Sequence, residues 1–150
     1  MLVGLVMIKD VVVTKLDIIE TLGGDVMHAM KESSVGYAGF GEVYFSQVNK
    51  GAIKAWKRHK KMTLNLVVPV GEIRFVLFDD REGSNSGFQE FILSIVNYSR
   101  LTVPPRIWVG FQGLSVSDSM LLNIADIQHS RLEVDVLDLD DINYDWSETK

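Results

Sequence analysis

Every apolar run in this chain is short. Val, Ile, Leu and Phe gather in stretches of about five to eight residues that alternate with polar ones, and Gly, Pro, Asn or Ser closes each before several helical turns could form. This pattern predicts an all-β chain, with strands from residues 11–16 through 26–30, 42–48 and 52–59 to 132–137. Many short strands with turns between them imply a closed barrel or a sandwich, because closure removes exposed edges. The turns have their own chemistry: "PVGE" (69–72) supplies a glycine at a tight reversal, and "VPPR" (103–106) removes two backbone donors, so no ladder can run through it. One helical turn is expected around 88–97, where "FQEFILSIVN" also fits a period of about 3.6.

A chain of 150 residues is expected to form a single domain, 1–150, burying roughly 70% of its unfolded surface. It has no cysteine, which removes disulfides, thiolate metal sites and thiol catalysis and suits a reducing, cytoplasmic compartment. A net charge of −5 argues against a generic phosphate-backbone binder, so no nucleic-acid partner is expected. The apolar start "MLVGLVMI" lacks the length of a membrane span and the flanks of a signal peptide, so no membrane partner is expected and an early strand is. The acidic tail, 138–150, carries Tyr144 and Trp146 as anchors to pack it onto the body.

The stretch "GAIKAWKRHKK" (51–61) concentrates the positive charge. Strict alternation puts Ile53, Ala55, Lys57 and His59 on one face of a strand and Lys54, Trp56 and Arg58 on the other. Either face can be the inner one. With the first inward, an ammonium and an imidazole meet in the interior; with the second, Trp56 can stack on a base or sugar while cations hold phosphate. His28 and His129 read as surface and loop residues, and no Ser/His/Asp triad or phosphate-binding glycine loop can be assembled.

The spacing Gly51-x5-Lys57-x-His59-x4-Leu64-x6-Gly71 is similar to the first cupin motif, G-x5-H-x-H-x3,4-E-x6-G, and Pro104, Arg106 and Val109 fall on the second, P-x-G-x2-H. Of the four ligand positions only His59 carries a ligating side chain, so no metal is expected. Within the cupins the chain resembles the dTDP-4-dehydrorhamnose 3,5-epimerase family, through "GEVYFSQVNKGAIKAWKRHKK" (41–61), "GEIRFVLFDDREGS" (71–84), "VPPRIWVGFQGLS" (103–115) and "INYDWS" (142–147), spread over about two-thirds of the chain.

That resemblance implies a cupin-type jelly-roll barrel that forms a homodimer and exchanges its N-terminal strand with the partner. It implies a nucleotide-linked 4-keto-6-deoxy sugar as ligand, with no cofactor, in deoxysugar or polysaccharide biosynthesis. In the family a base removes the proton beside the ketone, a cation steadies the enolate, and a tyrosine returns a proton from the opposite face. The R-G-L-H element falls on Lys54, Ala55, Trp56 and Lys57, which puts Lys57 at the base position and favours that face inward. The following lysine falls on Asn65, the tyrosine of L-Y-K near Leu122, and the histidine of A-H-G-F on Val109. Gln47 and Asn49 match F-x-Q-x-N. The expected catalytic residues are therefore Lys57 and His59, and the expected substrate-binding ones Gln47, Asn49, Lys54 and Asn65. With the usual base, acid and pocket histidine replaced, double epimerisation is not expected. Altered single-centre chemistry is one reading, and a non-catalytic cupin that binds a sugar nucleotide or a protein partner is the other.

Overall fold

The alternating strands need two faces to bury, and the chain meets that need by folding into two sheets that close on each other. The computed structural model describes residues 7–147. Its strands are β1 (Val12–Lys15), β2 (Ile18–Ile19), β3 (Val26–Met27), β4 (Glu42–Val48), β5 (Ile53–His59), β6 (Leu64–Val70), β7 (Glu72–Asp79), β8 (Gly87–Ser94), β9 (Ser99–Val103), β10 (Trp108–Gly113), β11 (Ser119–Ala125) and β12 (Val134–Val136). Single 3-10 turns lie at Arg131–Glu133 and Leu139–Asp141. One sheet runs β1-β9-β6-β11-β4, the other β12-β5-β10-β7-β8, and β2-β3 is a separate hairpin. All pairings are antiparallel, and the result is the expected jelly roll.

The core between the sheets is built from every second residue. Leu64, Leu66 and Val68 of β6 face Ile73, Phe75 and Leu77 of β7, with Leu101 and Val103 of β9 alongside. A second apolar layer covers the outer face of the β5-side sheet. Trp56, Val76 and Trp108 lie beneath Ile142 and Trp146 of the C-terminal segment. Full burial of a large apolar side chain contributes roughly 1.5–3 kcal/mol, enough to hold an acidic segment down. Gly110 makes this contact possible: a Cβ there would stand 2.8 Å from the Ala55 Cβ and 2.9 Å from the Trp146 ring. The β6–β7 reversal relies on Gly71 at φ +82°, where a Cβ would collide with Ser119.

Three local expectations change. Residues 88–97 contain no helical turn, because β8 pairs with β7 from Asp79↔Gly87 to Glu72↔Ser94 and this eight-residue ladder overrides the local period. The strand expected at 26–30 ends at Met27, and the one expected at 132–137 begins with a 3-10 turn. Most of the apolar N-terminal stretch, residues 1–6, lies outside the described residues, whereas Ile8 is buried in the barrel core.

Candidate active site

The question of which face of β5 points inward has a mixed answer. β10 pairs with β5 through Val109↔Lys57 and Phe111↔Lys54, so that Ala55 and Trp56 together oppose Gly110. This β-bulge adds one residue and resets the alternation. Val109 and Phe111 share a face of β10, and their partners Lys57 and Lys54 therefore both point into the barrel. The expectation that Lys54 shares a face with Trp56 is corrected for this reason. Trp56 turns outward, fully buried under the C-terminal segment, where its Nε1 donates to the Leu139 carbonyl at 3.2 Å. Arg58 also turns outward, over the Trp108 ring and paired with Asp80 and Asp135.

Between the sheets lies a cavity of about 440 Å³, within the usual size of small-molecule sites. One wall carries Lys54, Lys57 and His59 from β5, Val109 and Phe111 from β10, and Val136 from β12. The facing wall carries Tyr44 and Ser46 from β4, Leu64 and Leu66 from β6, and Leu121 and Asn123 from β11. Among the described residues no carboxylate lines it and two lysines do, which favours an anionic ligand inside an acidic chain. The four cupin ligand positions do line one space, yet an ammonium and two aliphatic side chains beside one imidazole do not fit a transition metal. Among the described residues no group of three or more His, Cys, Asp or Glu side chains converges.

His59 is held from behind. Its Nδ1 lies 2.6 Å from Glu133 Oε2, while Glu133 Oε1 accepts the backbone N–H groups of Lys61 and Met62 at 2.8 and 2.9 Å. Burial pushes the Glu133 carboxyl up, but the hydrogen bonds from His59, Lys61 and Met62 outweigh it and hold the group below the usual carboxylate range. A carboxylate there makes Nδ1 the protonated nitrogen and leaves Nε2 as the acceptor for the cavity. The pairing of Val134 with His59, and the Lys60 N–H on the Glu133 carbonyl, bring the Arg131–Glu133 turn to this spot. On the facing wall, Asn123 Nδ2 donates to the Tyr44 hydroxyl at 2.8 Å.

Three of the expected binding residues lie off the cavity. Asn65 is 3% exposed on the other face of β6, where it donates to the Gly36 carbonyl and accepts from Thr102. Gln47 lies on the outer face of β4 and donates to Asp118, and Asn49 sits in the turn before β5. Leu122 packs outward with Leu16, Val67 and Tyr98, and its neighbours Leu121 and Asn123 take the inner positions. Neither His28 nor His129 lines the cavity. Sequence reasoning missed Tyr44, Ser46, Asn123 and Glu133. The first two share the face of buried Val48, and this period-2 signal could have found them.

No family model matches the chain. A dTDP sugar isomerase from Desulfovibrio desulfuricans G20 is 34% identical, with a TM-score of 0.90 over 95% of this chain and 94% of its own. Two dTDP-4-dehydrorhamnose 3,5-epimerases share the fold. The one from Elizabethkingia anophelis NUHP1 has a TM-score of 0.77 at 19% identity, over 95% of this chain and 84% of its own. The one from Bacillus anthracis str. Ames, with TDP and PPi bound, has a TM-score of 0.80 at 20% identity, over 94% and 87%. A probable low-salt glycan biosynthesis epimerase, Agl13 of Haloferax volcanii, is 30% identical over 83 residues, 53% of this chain and 53% of that protein. The chain thus spans about half the length of that curated relative.

Proposed function

Because the chain belongs to the cupins of the dTDP-4-dehydrorhamnose 3,5-epimerase family, we propose that it exchanges a proton at one carbon beside the ketone of a nucleotide-linked 4-keto-6-deoxy sugar, in deoxysugar or glycan biosynthesis. The observation that carries the reading is His59, directed into a cation-lined cavity with Glu133 behind it. His59 Nε2 takes the proton as the C–H bond breaks, and the electron pair moves onto the carbonyl oxygen. The Lys57 ammonium steadies that enolate, and Lys54 meets the diphosphate. Tyr44, on the facing wall, gives its phenolic proton to the opposite face of the carbon, re-forming the C–H bond and the ketone. Solvent at the mouth then returns the proton from His59 to the phenolate. One base and one acid on opposite walls serve one centre, which makes the protein a mono-epimerase rather than a double epimerase.

The same reading has the chain act as a homodimer in the cytoplasm. Val43 and Phe45, 50% and 66% exposed on the outer face of β4, suit a partner surface. Light scattering should give twice 16.9 kDa, and a monomer mass would remove this part of the proposal.

The test is proton NMR of dTDP-4-keto-6-deoxyglucose in D₂O. The wild type should introduce deuterium at C3 or C5, and Lys57→Ala and His59→Asn should each slow this by about 10² or more. Ligand line-broadening with no exchange by the wild type would leave a sugar-nucleotide binder without catalysis.

A further inference from the structure

Asn123 has one end of its amide engaged and the other end free. Its side chain is 4% exposed on the inner face of β11, and its Nδ2 donates to the Tyr44 hydroxyl at 2.8 Å. Its Oδ1 is buried and has no hydrogen-bond partner among the described residues, on a residue that lines the cavity. A buried carbonyl oxygen without a donor carries a desolvation cost that folding does not recover, so a native structure that keeps one generally reserves it for a ligand or an ordered water. The Tyr44 oxygen accepts from Asn123, which obliges its own O–H to point elsewhere. The open directions are the cavity, which Tyr44 lines, and the solvent at its mouth.

The chemistry of a nucleotide sugar narrows what Oδ1 can receive. Diphosphate oxygens, the ketone oxygen and the ring oxygen are acceptors and would face the carbonyl unfavourably. The available donors are the hexose hydroxyls, the deoxyribose hydroxyl and the thymine N–H. Asn123, almost fully buried, stands next to Tyr44 on the wall it shares with Leu64, Leu66 and Leu121, and the hexose is the part that must reach the phenol.

We propose that Asn123 determines sugar specificity by accepting a hydrogen bond from a hexose ring hydroxyl through Oδ1, while its Nδ2 turns the Tyr44 proton toward the reacting carbon. This rests on the reading of the cavity as a nucleotide-sugar site. It makes Asn123 a contact for the sugar and a positioning residue for Tyr44. A site built to pair a hydroxyl rejects ligands lacking it more strongly than an apolar pocket rejects a size change.

The test is isothermal titration of wild type and Asn123→Leu with two probes, dTDP and dTDP-glucose, backed by thermal melts and by Asn123→Ala should the leucine variant misfold. Affinity for dTDP should stay within about twofold, and affinity for dTDP-glucose should fall about tenfold, the cost of one hydrogen bond. In the exchange assay with dTDP-4-keto-6-deoxyglucose, Asn123→Leu should also lower the rate at saturation, as should Tyr44→Phe. Equal loss with both probes would assign Asn123 to the nucleotide or to structure, and no loss with either would remove its role altogether; each overturns the proposal. A wild type that binds neither probe would overturn the nucleotide-sugar reading and this inference with it, whereas normal binding with unchanged Asn123→Leu affinity overturns the inference alone.

Discussion

Replacing Glu133 by Gln should disable His59 without removing it. The carboxylate accepts three hydrogen bonds, from His59 Nδ1 at 2.6 Å and from the Lys61 and Met62 amides at 2.8 and 2.9 Å. A glutamine has one acceptor oxygen, and the two backbone donors, both already on Oε1, claim it. Its NH₂ then faces His59 and forces Nδ1 to become an acceptor, which moves the ring proton to Nε2. The nitrogen aimed at the cavity is then the wrong tautomer to take a proton, and loss of a general base in the right state costs about 10² to 10⁴ in rate. The fold pays less: exchanging charge-assisted for neutral hydrogen bonds costs about 1–2 kcal/mol, or roughly 2–8 °C in a domain of this size. Deuterium incorporation at saturating substrate and a thermal melt read the two effects separately. An exchange rate within about threefold of wild type, with the melt lowered as expected, would make Glu133 a structural brace and refute the tautomer argument.

Further perturbations separate the site from the scaffold. Asn65→Ala leaves the Thr102 hydroxyl and the Gly36 carbonyl unpaired and should cost roughly 2–3 kcal/mol in urea denaturation, with proton exchange per folded molecule unchanged; a rate loss would return Asn65 to the site. Gly110→Ala presses a methyl into Ala55 and the Trp146 ring and should cost about 1–3 kcal/mol, read as an earlier loss of Trp fluorescence on heating; an unchanged midpoint would mean the C-terminal segment does not pack there in solution. Acid should destabilise the fold. At Asp79, as at Glu133, burial raises the carboxyl but hydrogen bonding, here from Arg81, outweighs it, so both sit below their ordinary values of 3.8 and 4.5. The ionised forms therefore add stability that is complete above those unfolded values and is lost as pH falls through the depressed folded ones. Melts from pH 7 to 3 should be level down to about 5 and then decline, and less steeply in Glu133→Gln; equal slopes would contradict the linkage.

The strands were legible because alternation and turn residues agreed along most of the chain, as in β4, which matches the expected 42–48. The site was less legible because a strand position shifted by one residue changes face. Counting along the family motif landed on Leu122 when the cavity uses Leu121 and Asn123, and on Gln47 when it uses Tyr44 and Ser46. In β5 the assumption of strict alternation itself failed, because the bulge opposite Gly110 brings Lys54 round to the side of Lys57 and His59. The sequence offered no local sign of Glu133, which lies 74 residues from its partner and reaches it only through the β12–β5 pairing. At 88–97 the local period pointed to a helix, and the ladder to β7 overrode it.

Whether the chemistry takes place between the two sheets is read most directly from a crystal structure of the His59→Asn protein with dTDP-4-keto-6-deoxyglucose bound. The hexose should lie between Lys57 and Tyr44, with a ring hydroxyl on Asn123 Oδ1 and the diphosphate at Lys54. A ligand seated elsewhere, for instance in the outer groove of Arg58, Lys60, Lys61 and Arg106 with the barrel empty, would contradict it.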